Sequence, residues 1–500
     1  MKKLLPICML LSFVWGVQSH GLAQAIAPST SPNETQRRLN ERGYGMFVHF
    51  GMNTFIEQEW SDGSAPATDY APTALDCDQW VRSARDAGFR YVLLVTKHHD
   101  GFCLWPSKYT DYDVASSSVP TDVVGAVAEA CRKYGLQFGM YYSLWDRHEP
   151  SYTDPDFSKY IDFMCNQLTE LMTNYGDVCE LWLDGGWDKP AAMWDMPRVY
   201  HLVKSLHPYC AIGVNGTIGA YPTDNGGFVD VLPDRMTEDN IFYMRYFPGD
   251  FRLWDPKIAC TNDHKQYLYD GKSYYLPFEH TLCISSQWNW FQKNHDIPVR
   301  DLDELEEIFY RATSNGNSLV VNIPPDRSGK LREHEVQAAI SLAQRLGIKH
   351  DAPLPKGVKS LALQATATSQ WDESDEYSPM RACDGGLQSR WASHDITPSI
   401  EFTLNPDEPF DKITIFEYCD TEQLGDFSNR RINRIQAYNI ERFNDGVWET
   451  IYVSDTPMGD CKTIRFPYSY KAEKVRLNIT AASDFPSIYE FSIFDTNTKL

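Results

Sequence analysis

An aspartate that ends a short apolar run is the first candidate for chemistry in this chain. Asp184 follows the run at 179–183, which only Glu180 interrupts, and it precedes Gly185 and Gly186. A run of this length is typical of one buried strand in a parallel sheet. When such strands form a (β/α)8 barrel, acids at their carboxyl ends lie at the rim of the active site. Because Asp-Gly pairs are also common in ordinary turns, this segment alone leaves both interpretations open.

Histidines and a tyrosine lie on or just after three other apolar segments. His49 lies on the first segment, His98 and His99 follow the second, and Tyr141 lies on the third. In a barrel, these positions would meet Asp184 at one rim. We expect the adjacent histidines, if they lie on an extended strand, to point to opposite sides, which disfavours a shared metal ion. The sequence also lacks a Gly-x-Ser-x-Gly elbow and a glycine-rich phosphate loop.

Carboxylates accompanied by aromatic and neutral hydrogen-bonding side chains suit glycoside hydrolysis. One carboxylate attacks the anomeric carbon and another protonates the leaving oxygen, and in retaining enzymes the two lie roughly 5–5.5 Å apart. Asp184 is the candidate for the first role. Glu279, just before a strand-like segment at 281–286, is the first choice for the second role. Glu238 is the runner-up and Glu59 a weaker third, and each glutamate is alternatively a solvated acid.

The segments around these residues alternate between strand and helix patterns from about residue 35 to residue 350. We predict strands at 44–50, 90–96, 137–143, 179–183, 211–215, 281–286 and 318–323. Apolar residues at helical spacing follow most of these strands, and Thr121 is the expected N-cap of one such helix. The less regular stretch at 216–275 is expected to form long loops over one face, with strands of uncertain position inside them. Seven or eight strand–helix repeats favour a (β/α)8 barrel over a doubly wound sheet.

A second domain is predicted after the linker at 350–357, which contains two prolines. Beyond it, apolar and polar residues alternate in several short segments, with turn signals such as Asn444-Asp445-Gly446 between them. This pattern is typical of a β-sandwich. The sequence therefore predicts a catalytic domain over 26–350 and a β-sandwich over 351–500.

The first 25 residues have the pattern of a secretory signal peptide. Lys2 and Lys3 precede the apolar region at 4–17, and Ala23-Gln24-Ala25 provides a cleavage site of small residues. The apolar region is too short for a membrane span, so we expect a periplasmic or secreted protein. A net charge of −22 disfavours nucleic acid and anionic membranes as partners. Of the 12 cysteines none forms a Cys-x-x-Cys pair, which predicts buried free thiols rather than a disulfide framework or a zinc site.

Several motifs in this order resemble the α-L-fucosidases of glycoside hydrolase family 29. The matching pieces are Gly45-Met-Phe-Val-His-Phe-Gly-Met-Asn53 with Glu59-Trp60, Lys97-His-His-Asp-Gly-Phe-Cys-Leu-Trp105, Gly139-Met-Tyr-Tyr-Ser143, Leu181-Trp-Leu-Asp-Gly-Gly-Trp187 and Asn322-Ile-Pro-Pro-Asp-Arg327. The resemblance implies an exo-acting enzyme that removes terminal α-L-fucose from fucosylated oligosaccharides or glycoconjugates. It also implies a retaining double displacement in a (β/α)8-like barrel, with neither metal nor cofactor.

The resemblance also assigns roles to individual residues. It makes Asp184 the nucleophile and places Glu59 and Trp60 in the loop that lines the sugar pocket. The residues that it places against fucose are His49, His98, His99, Tyr141 and Trp182. One subgroup, active on branched α-1,3/1,4-fucosides, carries its proton donor in a Gly-Asn-Glu motif downstream of the nucleophile. This chain has Asn225-Gly226-Gly227 there, and the segment of Glu279 resembles the one that carries the donor in other members.

The C-terminal region resembles a discoidin-like (F5/8 type C) carbohydrate-binding module. The matching pieces are Ala382-Cys-Asp-Gly-Gly386, Ser389-Arg-Trp-Ala-Ser393, Asp445-Gly-Val-Trp448 and Lys474-Val-Arg-Leu-Asn-Ile-Thr480. Such modules often carry a structural calcium ion, and this one either binds sugar or supports the barrel. Two other activities fit the same residues: a retaining glycosidase for another sugar such as α-galactose, and a catalytically inactive fucose-binding protein.

Overall fold

The computed structural model describes most of the chain from Ala27 onward. The described residues are 27–218, 220–222, 228–230, 244–253, 265–288, 290–292, 297–313, 316–357, 359–385, 389–423, 429–459 and 461–496. The expected signal peptide at 1–25 and the candidate donor Glu238 lie outside these residues. Within the described ranges, no helix is long and apolar enough to cross a membrane.

Eight parallel strands form a closed barrel. The strands before residue 323 are β1 (Tyr44–Val48), β2 (Tyr91–Lys97), β3 (Gln137–Ser143), β4 (Glu180–Asp184), β5 (Ala211–Asn215), β6 (Ala220–Pro222), β7 (Phe228–Asp230), β8 (Phe251–Leu253), β9 (Gln266–Tyr269), β10 (Lys272–Tyr275), β11 (Phe278–Cys283) and β12 (Ser318–Asn322). The barrel order is β1-β12-β11-β8-β5-β4-β3-β2, and neighbouring strands are parallel throughout. The prediction of a (β/α)8-like barrel is confirmed.

The helices of the barrel domain are α1 (Glu34–Arg42), α2 (Met52–Ile56), α3 (Cys77–Asp86), α4 (Val123–Tyr134), α5 (Ser158–Asn174), α6 (Met196–Leu206), α7 (Leu302–Thr313) and α8 (Glu333–Leu346). The longer helices from α3 onward pack their apolar faces on the outside of the barrel. Helix α1 instead closes the amino end of the barrel, where Leu39 joins the interior cluster and Arg42 contacts Glu180. The Asp122 carboxylate accepts a hydrogen bond from the backbone N–H of Gly125, so Asp122 caps α4 and the expected cap Thr121 does not. Helix α4 ends at Gly135, whose φ of 72° suits glycine.

One barrel strand lies in the stretch at 216–275, where the sequence predicted long loops with strands whose positions it did not fix. Strand β8 completes the barrel between β5 and β11 with Phe251 and Leu253 in its interior. Three residues are too few to show strand periodicity, which is why the pattern of 216–275 did not fix the position of this strand.

The barrel interior is filled in layers. Alternate residues of a barrel strand point inward, and on β4 these are Glu180, Trp182 and Asp184. Trp182 packs with Phe47 and Tyr141 in a buried interior cluster. Asp184 therefore lies at the carboxyl-end mouth of the barrel, above a packed layer of side chains.

The C-terminal region contains two antiparallel sheets packed face to face. Its strands are β13 (Gln364–Ala367), β14 (Trp391–Ala392), β15 (Ser399–Thr403), β16 (Phe410–Glu417), β17 (Asp420–Gln423), β18 (Asn429–Ile432), β19 (Ile435–Asn444), β20 (Val447–Ser454), β21 (Cys461–Tyr470), β22 (Lys474–Ala482) and β23 (Ser487–Phe494). The sheet orders are β13-β15-β22-β19-β20 and β14-β23-β16-β21. The rings of Phe402 and Phe491 stack across the two sheets with centroids 4.2 Å apart. The β-sandwich prediction is confirmed.

Helix α7 joins the barrel to the C-terminal sandwich. Arg311 of α7 donates hydrogen bonds to the Gly385 carbonyl (3.3 Å) and to Ser492 Oγ (3.4 Å). Arg465 of β21 lies 2.6 Å from Glu306 of α7. These polar contacts fix one sheet of the sandwich against the outside of the barrel.

The cysteines that the structure describes are all free. Ten are described, of which seven are buried and three half-buried. They act as small packing residues, as their scattered positions predicted.

Candidate active site

Asp184 is held at the mouth of the barrel by two hydrogen-bond donors. The Tyr141 hydroxyl donates to Oδ2 (2.7 Å) and the Asn215 amide donates to Oδ1 (3.1 Å). Burial raises the pKa of Asp184, and these hydrogen bonds, which stabilise the charged form, oppose that rise. The carboxylate is thus fixed in orientation by neighbours from β3 and β5.

The chain turns tightly after this carboxylate. Gly185 has a φ of 74°, and a Cβ at this position would lie 2.7 Å from Cβ of Trp145 and 3.1 Å from Nδ1 of His99. A larger residue would be strained by its backbone conformation and would also collide with both neighbours. Glycine here therefore lets the turn pack closely against the site.

Two histidines near Asp184 are neutral and present a ring nitrogen as an acceptor. His49 Nδ1 lies 3.0 Å from the Asn322 side-chain oxygen, so this nitrogen carries the hydrogen. Ser143 Oγ donates to the Trp145 carbonyl and accordingly accepts from His99 Nδ1. Burial lowers the pKa of both imidazoles to about 3. In each ring Nε2 is left with a lone pair, which suits a sugar hydroxyl as donor.

The two adjacent histidines lie on the same side of the site. Strand β2 ends at Lys97, so His98 and His99 follow it in a turn, and their ring centroids are only 4.2 Å apart. The expectation that they point to opposite sides was made for an extended strand and does not apply, because both residues follow the end of β2. His99 Nε2 lies 3.7 Å from Asp184 Oδ2. His98 Nδ1 is buried without a hydrogen-bond partner among the described residues, as expected of a group that a ligand satisfies.

Glu59 is a second buried carboxyl group at this mouth. It is 7% exposed, and its Oε1 accepts hydrogen bonds from the indole N–H groups of Trp288 (2.7 Å) and Trp290 (3.3 Å). Burial raises the pKa of Glu59 to about 7, and the negative charge of Asp184 adds to the rise. Near neutral pH this carboxyl group can therefore hold a proton and release it.

The loop that carries Glu59 is anchored on both sides. Asn53 donates from its amide to the backbone carbonyls of Gln58 (2.9 Å) and Glu59 (2.7 Å). Arg147 donates to the carbonyl of Trp60 (2.8 Å). The position of the Glu59 carboxyl group is thus fixed before any substrate binds.

Glu279 does not face Asp184, which corrects its assignment as the proton donor. In the strand register, Glu279 of β11 lies opposite Ser318, the first residue of β12. Glu279 is therefore in the lowest inward layer of the barrel, as is Glu180, the first residue of β4. Asp184 is four residues above Glu180 on β4, a rise of roughly 13 Å. The hydroxyls of Tyr91 (2.8 Å) and Ser318 (3.2 Å) donate to Glu279 Oε2.

The lowest layer of the barrel is a closed polar network. Arg42 lies 2.6 Å from Glu180, and both side chains are buried. Burial, followed by the charge of Glu180, raises the pKa of Glu279 well above its ordinary value. Glu279 and Glu180 therefore have a structural role at the closed end of the barrel.

The two tryptophans expected to contact the sugar lie at different depths. Trp182 is buried in the layer beneath Asp184, where its ring stacks on Tyr141 with centroids 5.3 Å apart. Trp60 is 45% exposed at the rim, 6.2 Å from the ring of His99. Trp182 thus forms the floor of the site and Trp60 part of its edge.

Sequence reasoning missed four residues of this site. Asn215 and Asn322 end β5 and β12 and orient Asp184 and His49, as described above. Their strand-end positions gave a usable signal. Trp288 and Trp290 follow β11 in a segment without regular secondary structure. No sequence pattern in that segment indicated that they contact Glu59.

The described residues do not fit a metal site built from side chains. Within them, no group of three or more His, Cys, Asp or Glu side chains could hold a metal ion. The calcium ion implied for the C-terminal region therefore has no such ligand set in the described part of the sandwich.

Comparisons with known proteins agree with this architecture. A family model described as "Alpha-L-fucosidase" matches residues 64–349, and one described as "F5/8 type C domain" matches residues 364–491. The chain is 28% identical to "Alpha-L-fucosidase 1" of Arabidopsis thaliana over 488 residues, 94% of this chain and 88% of that protein. It is 30% identical to "Plasma alpha-L-fucosidase" of Homo sapiens over 330 residues, 59% of this chain and 63% of that protein.

A solved structure shows the same fold. A Ruminococcus gnavus GH29 fucosidase in complex with fucose is 21% identical, with a TM-score of 0.51 over 94% of this chain and 96% of that one. At this level of identity the likeness concerns the fold.

Proposed function

Because the chain belongs to the α-L-fucosidase family, we propose that Asp184 and Glu59 perform the two carboxylate roles of retaining fucoside hydrolysis. The observation that carries this proposal is the pair itself. Two buried carboxyl groups share the mouth of the barrel, one held by two donors and the other with its pKa raised to about 7. Such a difference separates a nucleophile from a proton donor.

The chemistry then follows in two displacements. Asp184 attacks the anomeric carbon while the bond to the leaving oxygen breaks and Glu59 transfers its proton to that oxygen. Glu59, now ionised, takes a proton from water, and the water oxygen attacks the same carbon and releases Asp184. Two inversions give net retention of configuration.

The neutral histidines support fucoside hydrolysis by binding the sugar rather than by transferring protons. With pKa values of about 3, His49 and His99 stay uncharged over the working pH range. Their free ring nitrogens accept hydrogen bonds from sugar hydroxyls, and uncharged rings do not compete with Glu59 as the acid. We assign them, with His98 and Tyr141, to the fucose-binding wall of the pocket.

The proposal is tested by the stereochemistry and sugar specificity of the wild-type enzyme. With 4-nitrophenyl α-L-fucoside, proton NMR should show α-L-fucose as the first product, before mutarotation. The matching α-galactoside should react far more slowly. β-L-fucose as the first product would contradict the double displacement, faster α-galactoside hydrolysis would favour another glycosidase, and binding without turnover would indicate an inactive fucose-binding protein.

We also propose that the protein is exported to the periplasm or the medium. Support comes from the charged, apolar and small-residue regions of the first 25 residues. Edman sequencing of the mature protein from the periplasmic or extracellular fraction should begin at Ile26. A mature chain that retains Met1 would contradict this.

For the C-terminal sandwich we propose support of the barrel as one role. The contacts of Arg311 and Arg465 described above favour it, since they tie one face of the sandwich to α7. Sugar binding by the same domain is tested separately by isothermal titration of the full enzyme with fucosylated oligosaccharides after the catalytic pocket has been blocked.

A further inference from the structure

The rim of the pocket carries exposed tryptophans that the two displacements do not use. Trp187 is 36% exposed and Trp60 is 45% exposed, and their ring centroids are 6.2 Å apart. Half-buried Trp145 lies 6.0 Å from Trp60. Exposed aromatic surface concentrated in one place marks a binding surface more often than scattered apolar residues do.

The turn that carries Trp187 is fixed on both sides of the ring. The Gly186 carbonyl accepts a hydrogen bond from the indole N–H of Trp194 (2.8 Å), and the Asp188 carboxylate accepts one from Tyr152 (2.7 Å). Trp194 and Tyr152 are themselves buried. Trp187 is therefore held in an exposed position instead of being free to fold onto the surface, which lowers the entropy cost of binding a ligand.

These rings lie beside the catalytic groups on the solvent side. The ring centroids of Trp187 and His99 are 5.8 Å apart. Nε2 of His99 in turn lies 3.7 Å from Oδ2 of Asp184. Trp60 directly follows Glu59 in the chain, and its carbonyl is held by Arg147. A leaving group whose oxygen lies at Glu59 must extend away from the buried histidines, and the exposed rings flank that path.

The geometry points to Trp187, together with Trp60, as the subsite for the sugar that bears the fucose. A pyranose presents an apolar face of C–H groups, and this face matches a flat indole ring. The substrate class is then an oligosaccharide in which fucose is attached to a pyranose. This inference rests on the proposed function and extends it to the leaving group.

The test compares two substrates that differ only in the leaving group. An α-L-fucosyl disaccharide leaves a pyranose, whereas α-L-fucosyl fluoride leaves a single atom. For Trp187→Ala we expect kcat/KM for the disaccharide to fall by about tenfold more than kcat/KM for the fluoride, the effect of about one stacking contact. Trp187→Phe should restore most of the difference, because it keeps a ring.

A second measurement uses the same subsite to bind an acceptor sugar instead of the leaving sugar. With fucosyl fluoride as donor and a free pyranoside as acceptor, an acceptor hydroxyl replaces water in the second displacement. Trp187→Ala should lower the ratio of fucosyl transfer to hydrolysis. Trp371→Ala, which removes an indole 48% exposed on the C-terminal domain, is the matched control and should leave both measurements unchanged.

The outcomes separate this inference from the proposed function. If Trp187→Ala lowers kcat/KM equally for both substrates and leaves the transfer ratio unchanged, Trp187 does not bind the leaving sugar, although the enzyme remains a fucosidase. If the wild-type enzyme hydrolyses neither fucoside, the proposed function itself fails.

Discussion

The indole N–H of Trp288 donates a hydrogen bond of 2.7 Å to Glu59 Oε1 and so connects the segment after β11 to the acid of the proposed pair. This bond favours the ionised form of Glu59, whereas burial disfavours it more strongly, and the resulting pKa is about 7. Glu59 must be protonated to act as the acid. We therefore expect kcat/KM for a fucosyl disaccharide to fall as the pH rises through about 7.

Removing the indole donor should move this pH dependence in a defined direction. Trp288→Phe keeps an aromatic ring but removes a bond that lowers the pKa of Glu59, so the alkaline limb should shift to higher pH. The measurement is the pH profile of kcat/KM for wild type and variant. Fucosyl fluoride, which needs no proton for its leaving group, is the control and should not show this limb. A shift to lower pH would mean that Trp288 does not stabilise the carboxylate.

Replacement of Glu59 should affect substrates according to their need for a proton. For Glu59→Gln we expect kcat/KM for a fucosyl disaccharide to fall by roughly 10²–10⁴-fold, the usual contribution of a general acid, and to fall far less for fucosyl fluoride. Glu57→Gln is the matched control, since Glu57 is exposed in the same loop and pairs with Arg327. If Glu59→Gln lowered kcat/KM equally for both substrates, Glu59 would not be the acid.

The choice between Glu59 and Glu279 shows what sequence pattern can and cannot supply. The segment at 179–183 and its terminal Asp184 were recognisable because a parallel strand is short, apolar and ended by an abrupt change of polarity. Glu279, however, lies near the start of its strand, and a strand start in this barrel lies at the end opposite the active site. Position relative to strand direction therefore decides against it.

The donors around Glu59 could not be predicted in the same way. Trp288 and Trp290 come from irregular chain far from Glu59 in sequence, so only the tertiary fold brings them to its carboxyl group. Local periodicity specifies the strands, whereas the pKa of Glu59 depends on contacts between distant segments.

Replacement of Glu279 should lower the stability of the protein and leave its catalytic activity nearly unchanged. Glu279→Ala leaves a buried cavity and removes the acceptor of the Tyr91 and Ser318 hydroxyls, so we expect a loss of roughly 2–5 kcal/mol in the free energy of unfolding. Glu279→Gln preserves the volume and should cost less. Denaturant unfolding measures this, and kcat/KM per folded enzyme should stay near wild type. A loss of turnover by Glu279→Gln with unchanged stability would restore Glu279 as a catalytic candidate.

Arg311 should couple the sandwich to the barrel. Its buried guanidinium lies 3.1 Å from Glu307 and donates to groups on the C-terminal domain. Arg311→Ala removes the donor to Gly385 and Ser492 and the nearer of two cations beside the buried Glu307, since Lys412 stays 3.8 Å from that carboxylate. We therefore expect a loss of roughly 1–3 kcal/mol in stability. Calorimetry should show a lower melting temperature. The control Arg327→Ala breaks an exposed pair with Glu57 and should cost roughly 0–1 kcal/mol. Equal effects of the two variants would mean that Arg311 does not couple the domains.

The nucleophile and the acid can be told apart by the azide adduct that each variant forms. Asp184→Ala should lose turnover by several orders of magnitude, because no covalent intermediate can form. Added azide should then displace the leaving group of an activated α-L-fucoside directly and yield β-L-fucosyl azide. Glu59→Ala still forms the intermediate on Asp184, so azide attack on it should yield α-L-fucosyl azide. NMR of the isolated products distinguishes the two anomers. The same anomer from both variants, or near wild-type turnover by Asp184→Ala, would overturn the assignment of roles.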